Sequence, residues 1–275
     1  MLKQRIITGI ILAPLALAGL FLLDPEPFAY FVAGVILLGA WEWAQLAGIK
    51  SQPLRVVYAL ILLALVYFSR FTPIIYVLVI SALWWAIAVI LVLSYPKRVG
   101  LWGSKLARLV IGPLLLIPLW HALVFIRSAE VKTLGDFSSL WFVFYMLFLV
   151  WAADVGAYFT GKAWGDKKLA PKVSPGKSWA GAWGGLGSVV ILAVVAWLFL
   201  DVSLSTGLVL IVITVFCGAI SIIGDLTESM FKRNAGIKDS SQLLPGHGGV
   251  LDRIDSLTAA VPVMTLLLVC LDWVV

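Results

Sequence analysis

Residues 229–255 read Ser-Met-Phe-Lys-Arg-Asn-Ala-Gly-Ile-Lys-Asp-Ser-Ser-Gln-Leu-Leu-Pro-Gly-His-Gly-Gly-Val-Leu-Asp-Arg-Ile-Asp. The chain around them is 62% hydrophobic and 12% charged, so a run this polar is itself a signal. Charge beside hydrocarbon is costly and marks a functional site by default. Asp225, Ser229 and Lys232 are spaced i, i+4 and i+7, one face of a helix. Glu228 stands three residues from Asp225 and four from Lys232. A carboxylate, a hydroxyl and an ammonium along one edge suit a metal-bound phosphate, the acid holding the metal and the lysine neutralising phosphate oxygens. The same spacing also describes an intrahelical Glu–Lys pair beside a satisfied serine. Arg233, Lys238 and Asp239 follow, then Pro245-Gly246-His247-Gly248-Gly249. These glycines permit close backbone approach to a ligand, and successive N–H groups in such a turn can form an anion-binding nest. His247 either donates to a phosphate or bridges its own turn. With no second histidine or thiol nearby, zinc is not indicated. Asp252 and Asp255, at i and i+3, open the next helical segment. With Asp225 they offer three carboxylates, an oxygen-only set that suits Mg²⁺ or Mn²⁺. Mg²⁺ held by a few carboxylates and substrate phosphates is the pattern of phosphoryl and nucleotidyl transfer.

A second constellation runs from residue 151 to 179. Asp154 lies inside an apolar segment with Tyr158 one turn later, and an intramembrane acid is usually functional or paired. The loop after it carries Lys162, Lys167, Lys168, Lys172 and Lys177 against one acid, Asp166. Lys172-Val-Ser174-Pro-Gly-Lys177-Ser178 superficially suggests a P-loop. The required earlier glycine is Pro171 and no strand precedes it, so that reading fails. A basic Pro-Gly turn at a helix start still suits anionic phosphates. Glu42, in Trp41-Glu42-Trp43, and His121 are polar residues within spans and read as structural.

The elements that must position these groups are membrane helices. The mean hydropathy of +1.07 over 275 residues, with repeated runs of roughly 20 apolar residues, describes an all-α polytopic membrane protein. The runs do not alternate, which excludes a β-barrel. Nine segments are drawn: Ile6–Leu23, Phe28–Ala47, Leu54–Phe68, Ile74–Leu93, Leu106–Ile126, Leu140–Thr160, Trp179–Leu200, Thr206–Met230 and Val250–Val275. The first lacks a small-x-small cleavage site and reads as a retained helix. With the amino terminus, Lys3 and Arg5 in the cytoplasm, nine crossings put 17 of the 20 Lys and Arg inside and 3 outside, a strong positive-inside bias. The net charge of +6 then reflects topology and not nucleic-acid binding. Residues 161–178 and 231–249 fall on the same cytoplasmic side. A single membrane domain is expected, with residues 1–130 as scaffold and 138–275 carrying the catalytic helices and loops. Gly184, Gly185, Gly187, Ala180 and Ala182 are expected to let helices approach closely. Cys217 and Cys270, both in apolar runs, suggest neither a disulfide nor a metal site.

Ser229, Lys232-Arg233, Lys238-Asp239, Pro245-Gly246-His247-Gly248-Gly249 and Asp252-Arg253-Ile254-Asp255 together resemble the signature of the phosphatidate cytidylyltransferase (CDP-diacylglycerol synthase) family, without departure. The 151–179 segment is similar to the family's second polar segment, and Trp41-Glu42-Trp43 is similar to bacterial members. The resemblance implies that CTP and phosphatidic acid give CDP-diacylglycerol and pyrophosphate. It also implies dependence on Mg²⁺, one ion or two, a dimeric helical fold among membrane lipids, and a place in phospholipid synthesis at the bacterial inner membrane with the site facing the cytoplasm. Metal aspartates carry over to Asp225 and Asp252, with Asp255 beside them. Asp225, Ser229, Lys232, Arg233, Asp252 and Asp255 are the expected catalytic set. Asp154, Lys162, Lys172, Ser174, Lys177, Lys238, Asp239, His247, Gly248 and Gly249 are the expected substrate-binding set. Two competing readings are a CTP-dependent polyprenol kinase, which releases CDP, and a secondary transporter using Asp154 and Asp225 as ion sites. The transporter should show broken helices in matching halves, and none is evident.

Overall fold

The computed structural model describes residues 2–134 and 138–275, with the side chains of all of these except residues 2, 3, 5 and 6. Lys3 and Arg5, used in the charge count, therefore lie outside the described side chains. The elements are α1 (Leu2–Leu22), α2 (Pro25–Leu46), α3 (Gln52–Ser69), α4 (Ile74–Ser94), α5 (Val99–Trp102), α6 (Lys105–Ser128), α7 (Ser139–Trp164), β1 (Lys168–Ala170), β2 (Ser174–Ser178), α8 (Trp179–Leu200), α9 (Leu204–Asn234) and α10 (Leu251–Cys270). Among the described residues eight helices are long and apolar enough to cross a membrane, and Ile7–Leu22 is a shorter apolar helix. These nine match the nine apolar segments.

Local chemistry explains where the helices start. Pro25 and Pro53 occupy the first turns of α2 and α3, where the missing N–H costs nothing. Serines cap three others: Ser104 accepts from the Ala107 N–H at 3.1 Å, Ser178 from Gly181 at 3.1 Å and Ser203 from Thr206 at 3.2 Å. Each satisfies one of the donors that a helix start leaves unpaired.

Helix α10 is the axis of the bundle, packed on α2, α4, α6, α7 and α9. It is also the most buried of the spans, at 67% of its apolar window, so whatever its first turn carries is held from all sides. Helices α7 and α8 pack closely through small residues. A Cβ on Gly184 would collide with Thr160, and one on Gly185 would lie 2.8 Å from the Ala153 carbonyl. Gly187, by contrast, faces open space. Both cysteines are free, Cys217 buried and Cys270 exposed.

Helix α9 continues past its apolar run to Asn234, carrying Lys232 and Arg233 in its last turn as the Asp225, Ser229, Lys232 spacing expects. Two features differ from the sequence expectation. Helix α5 is one. The basic loop folds into an antiparallel β1–β2 hairpin, with Lys168 opposite Ser178 and Ala170 opposite Ser174. Nothing in 168–178 alternates in polarity, so its pairing was invisible. What orders the hairpin is tertiary: Val173 at its turn is buried, and its carbonyl accepts from the Arg233 guanidinium at 3.2 Å.

Candidate active site

The carboxyl ends of α2, α7 and α9 and the amino ends of α8 and α10 meet at one end of the bundle, and the polar residues collect there. Along α9 the helical spacing does what it implies. Ser229 Oγ donates to Asp225 Oδ1 at 3.2 Å, and Lys232 Nζ pairs with Glu228 Oε2 at 2.7 Å. The intrahelical Glu–Lys pair is thus real, and it is not closed. Lys232 Nζ also reaches Asp252 Oδ1 on α10 at 2.5 Å. These three side chains are 9%, 4% and 7% exposed, so their charges are scarcely screened by water.

A second ammonium enters from the hairpin. Lys177 Nζ lies 2.5 Å from Asp225 Oδ2, joining β2 to α9. Asp154 on α7 is within electrostatic range of both Asp225 and Lys177. Asp255, one turn after Asp252, interacts with Asp225 and Glu228. Two lysines therefore serve four close acids, Asp225, Glu228, Asp252 and Asp255. Glu228 and Asp255 stand as neighbouring acids, close enough to share a proton. Asp154, Lys162, Lys177, Gly161, Ser221 and Ser256 line a cavity of about 380 Å³ beside this centre. The Lys162 ammonium sits 5.9 Å from the Tyr158 ring centroid at its rim.

The glycine-rich turn wraps the other side of Asp252. Asp252 Oδ2 accepts from the Gly249 N–H at 2.7 Å, and from the Ser240 N–H and hydroxyl at 2.9 Å each. Gly248 has φ +82°, and a Cβ there would lie 2.5 Å from Asp252 Oδ2. At Gly249 a Cβ would lie 2.5 Å from both carboxylate oxygens of Glu42. The two glycines are thus required by the approach of two carboxylates. The His247 carbonyl accepts twice from Arg253, at 2.6 and 3.1 Å, and α1 packs over the turn, Thr8 Oγ1 donating to the Pro245 carbonyl at 2.8 Å. Lys238, Asp239, His247, Gly248 and Arg253 line a polar cavity of about 820 Å³.

A model of the family described as "Cytidylyltransferase family" matches residues 3–271. A phosphatidate cytidylyltransferase of Pseudomonas aeruginosa is 48% identical over 277 residues, covering 99% of each chain. One of Haemophilus influenzae is 44% identical over 281 residues, with 95% of this chain and 96% of the relative covered. One of Bacillus subtilis is 31% identical over 268 residues, covering 97% of each. The chain belongs to the cytidylyltransferase family. The lysine–carboxylate centre and its two flanking cavities are the candidate active site.

Not every residue expected in that site converges on the centre. Arg233 donates to the Val173 and Ile237 carbonyls, at 3.2 and 3.3 Å, and so ties the hairpin to the end of α9. Lys172 lines a separate cavity of about 810 Å³ with Tyr95, Lys97, Arg98 and apolar side chains of α4, α8 and α9. Ser174 is half-buried on β2. Among the described residues, no three His, Cys, Asp or Glu side chains already stand as a metal-holding group. Two participants were not in the expected set. Glu228 is marked in the sequence by its spacing from both Asp225 and Lys232. Ser240 carried no signal.

Proposed function

We propose that the chain transfers the cytidylyl group of CTP to phosphatidate, giving CDP-diacylglycerol and pyrophosphate. The observation that carries the reading is the buried centre where Lys232 joins Glu228 on α9 to Asp252 on α10, with Lys177 on Asp225 beside it. The reaction needs no Ser–His base, because the lipid phosphate is already a nucleophile. Its oxygen attacks the α-phosphorus of CTP, and the bond from that phosphorus to the bridging oxygen breaks as pyrophosphate leaves. The demand on the protein is positioning and offset of negative charge. Lys177 and Lys232 are the ammoniums in place to do so, with Lys162 at the rim of the adjoining cavity.

The donor chemistry fits a divalent ion such as Mg²⁺. The acids outnumber the lysines, all are hard oxygen donors, and Glu228 and Asp255 face each other as two neighbouring acids. Asp225 and Asp252, with Asp255 beside them, would hold it. Bound there, the ion would supply charge neutralisation for the CTP phosphates. Asp225 and Asp252 each already carry a cation on one oxygen, and the remaining chemistry of the chain is to hold those oxygens in place.

The polar turn at 238–248 is our candidate for the nucleotide. The cavity beside Lys172, with apolar walls and Lys97 and Arg98 at its edge, is our candidate for the lipid. A homodimer, a bacterial inner-membrane location and a cytoplasmic active site belong to the same proposal; the last is supported by the 17-to-3 distribution of Lys and Arg. The released product tests the reaction. Purified protein given CTP and phosphatidate should release pyrophosphate and no CDP. CDP would mean kinase chemistry instead, and turnover in detergent without a gradient separates either from transport.

A further inference from the structure

Glu42 is a fully buried acid on α2 that the proposed chemistry does not use. Its Oε2 accepts from the Leu251 N–H at 2.6 Å and lies 3.1 Å from Ser240 Oγ. Its Oε1 accepts from Ser241 Oγ at 2.6 Å and from the Val250 N–H at 2.9 Å. All four partners are neutral, the single Ser240 hydroxyl proton being shared between Glu42 and Asp252, and all lie 198–209 residues away in sequence. Two of them are backbone N–H groups at the start of α10, where a helix has no internal acceptors. A carboxylate is also favoured there by the helix dipole. Glu42 is thus an N-terminal cap supplied by a different helix.

The link to the centre is short. Ser240 Oγ sits between Glu42 Oε2 and Asp252 Oδ2, at 3.1 and 2.9 Å, and the Ser240 N–H holds the same Asp252 oxygen. Asp252 Oδ1 in turn holds Lys232. The Gly249 backbone is pressed against both Glu42 oxygens and donates to Asp252.

We propose that Glu42 is a positioning residue for cytidylyl transfer: it fixes the start of α10 and Ser240, and through them the place of Asp252 and Lys232. The inference rests on the cytidylyltransferase reading. It differs from a stabilising role alone, which would lower the folded fraction and leave turnover per folded molecule unchanged.

The test compares purified full-length wild type, Glu42→Gln, Ser240→Ala and the double variant. Turnover and KM for CTP are measured with phosphatidate in mixed micelles, alongside thermal unfolding. Glu26→Gln, at the far end of α2, is the control and should match wild type. Outer-shell partners of a charged centre typically matter by 10–100-fold, so each single variant should lose about that much in kcat per folded molecule. KM for CTP should move by less than about threefold, since the loss lies in the reacting geometry. The double variant should lose little more than the worse single, because both act on Asp252 through one path. Folded single variants with wild-type kcat, or losses that multiply in the double, overturn the inference. Should Glu42→Gln fail to fold, Ser241→Ala decides, because Ser241 Oγ donates to Glu42 at 2.6 Å and not to Asp252: a loss in kcat upholds the inference and wild-type kcat overturns it. A wild-type protein without cytidylyl transfer would overturn the functional reading as well, whereas active wild type with unaltered variants overturns the Glu42 inference alone.

Discussion

Replacing Lys232 with methionine removes an ammonium lying 2.7 Å from Glu228 Oε2 and 2.5 Å from Asp252 Oδ1 while keeping an apolar stem to fill its place. Removing one partner of a buried ion pair generally costs about 3–5 kcal/mol, because the other charge is left uncompensated. Here two carboxylates are stranded, each less than a tenth exposed. Asp252 keeps three neutral donors on its other oxygen, whereas Glu228 is left beside a second acid, Asp255. The expected loss is therefore at the upper end, about 4–5 kcal/mol, with most of the penalty on Glu228. Adding Glu228→Gln removes that charge and should restore most of the lost stability. Activity should not return with it. The double variant still lacks the ammonium that we assign to the phosphates, and loss of one such group costs on the order of 10²–10³ in kcat. Reversible unfolding of the purified protein in mixed detergent, read beside kcat, separates the two effects. A Lys232→Met protein of wild-type stability would refute the buried-charge argument. A double variant whose turnover recovers along with its stability would refute the chemical role.

The remaining predictions concern the hairpin, the glycine turn and the topology. Lys177→Ala should lower kcat by about 10²-fold, since Lys177 touches Asp225. Lys172→Ala should leave kcat near wild type and raise the KM for phosphatidate, because Lys172 lines the separate apolar cavity; equal effects of the two variants on kcat would contradict this division. Gly249→Ala should destabilise the protein by about 1–3 kcal/mol, as overpacking does, because its Cβ would meet Glu42 at 2.5 Å; an unaltered unfolding curve would show that the turn relaxes freely. A reporter fused at the carboxyl terminus should read as non-cytoplasmic, since nine crossings separate it from a cytoplasmic amino terminus.

Helix number was legible because each span is a continuous apolar run, and hydrocarbon thickness sets its length. Helix ends were less so. Helix α9 runs on into polar residues through Asn234, where hydropathy no longer reports it and only the Asp225, Ser229, Lys232 spacing does. Those contacts within one helix were readable for that reason, and Glu228 belonged with them. The contacts between elements were not. Lys177 meets Asp225 from a hairpin that has no alternating pattern, and Glu42 meets its donors across about three quarters of the chain. From sequence Glu42 was merely an acid between two tryptophans without a local partner. That lack is the trace such a residue leaves: an acid inside an apolar segment must find its donors elsewhere. Helix α2, in the half expected to be scaffold, caps the helix that carries Asp252.

The central claim is that Asp225 and Asp252, from two helices, serve one catalytic centre. The measurement is kcat for Asp225→Asn, Asp252→Asn and the double variant at saturating Mg²⁺, with Asp24→Asn as an outer control. Each single change keeps side-chain size, removes a charge and takes a lysine's partner away. Loss of several kcal/mol of transition-state stabilisation corresponds to about 10³-fold or more in rate for either single. The double should be little worse than the worse single, because residues acting as a unit are not additive, and Asp24→Asn should be indifferent. Near-wild-type turnover in either single, or fully multiplicative losses in the double, would contradict a shared centre.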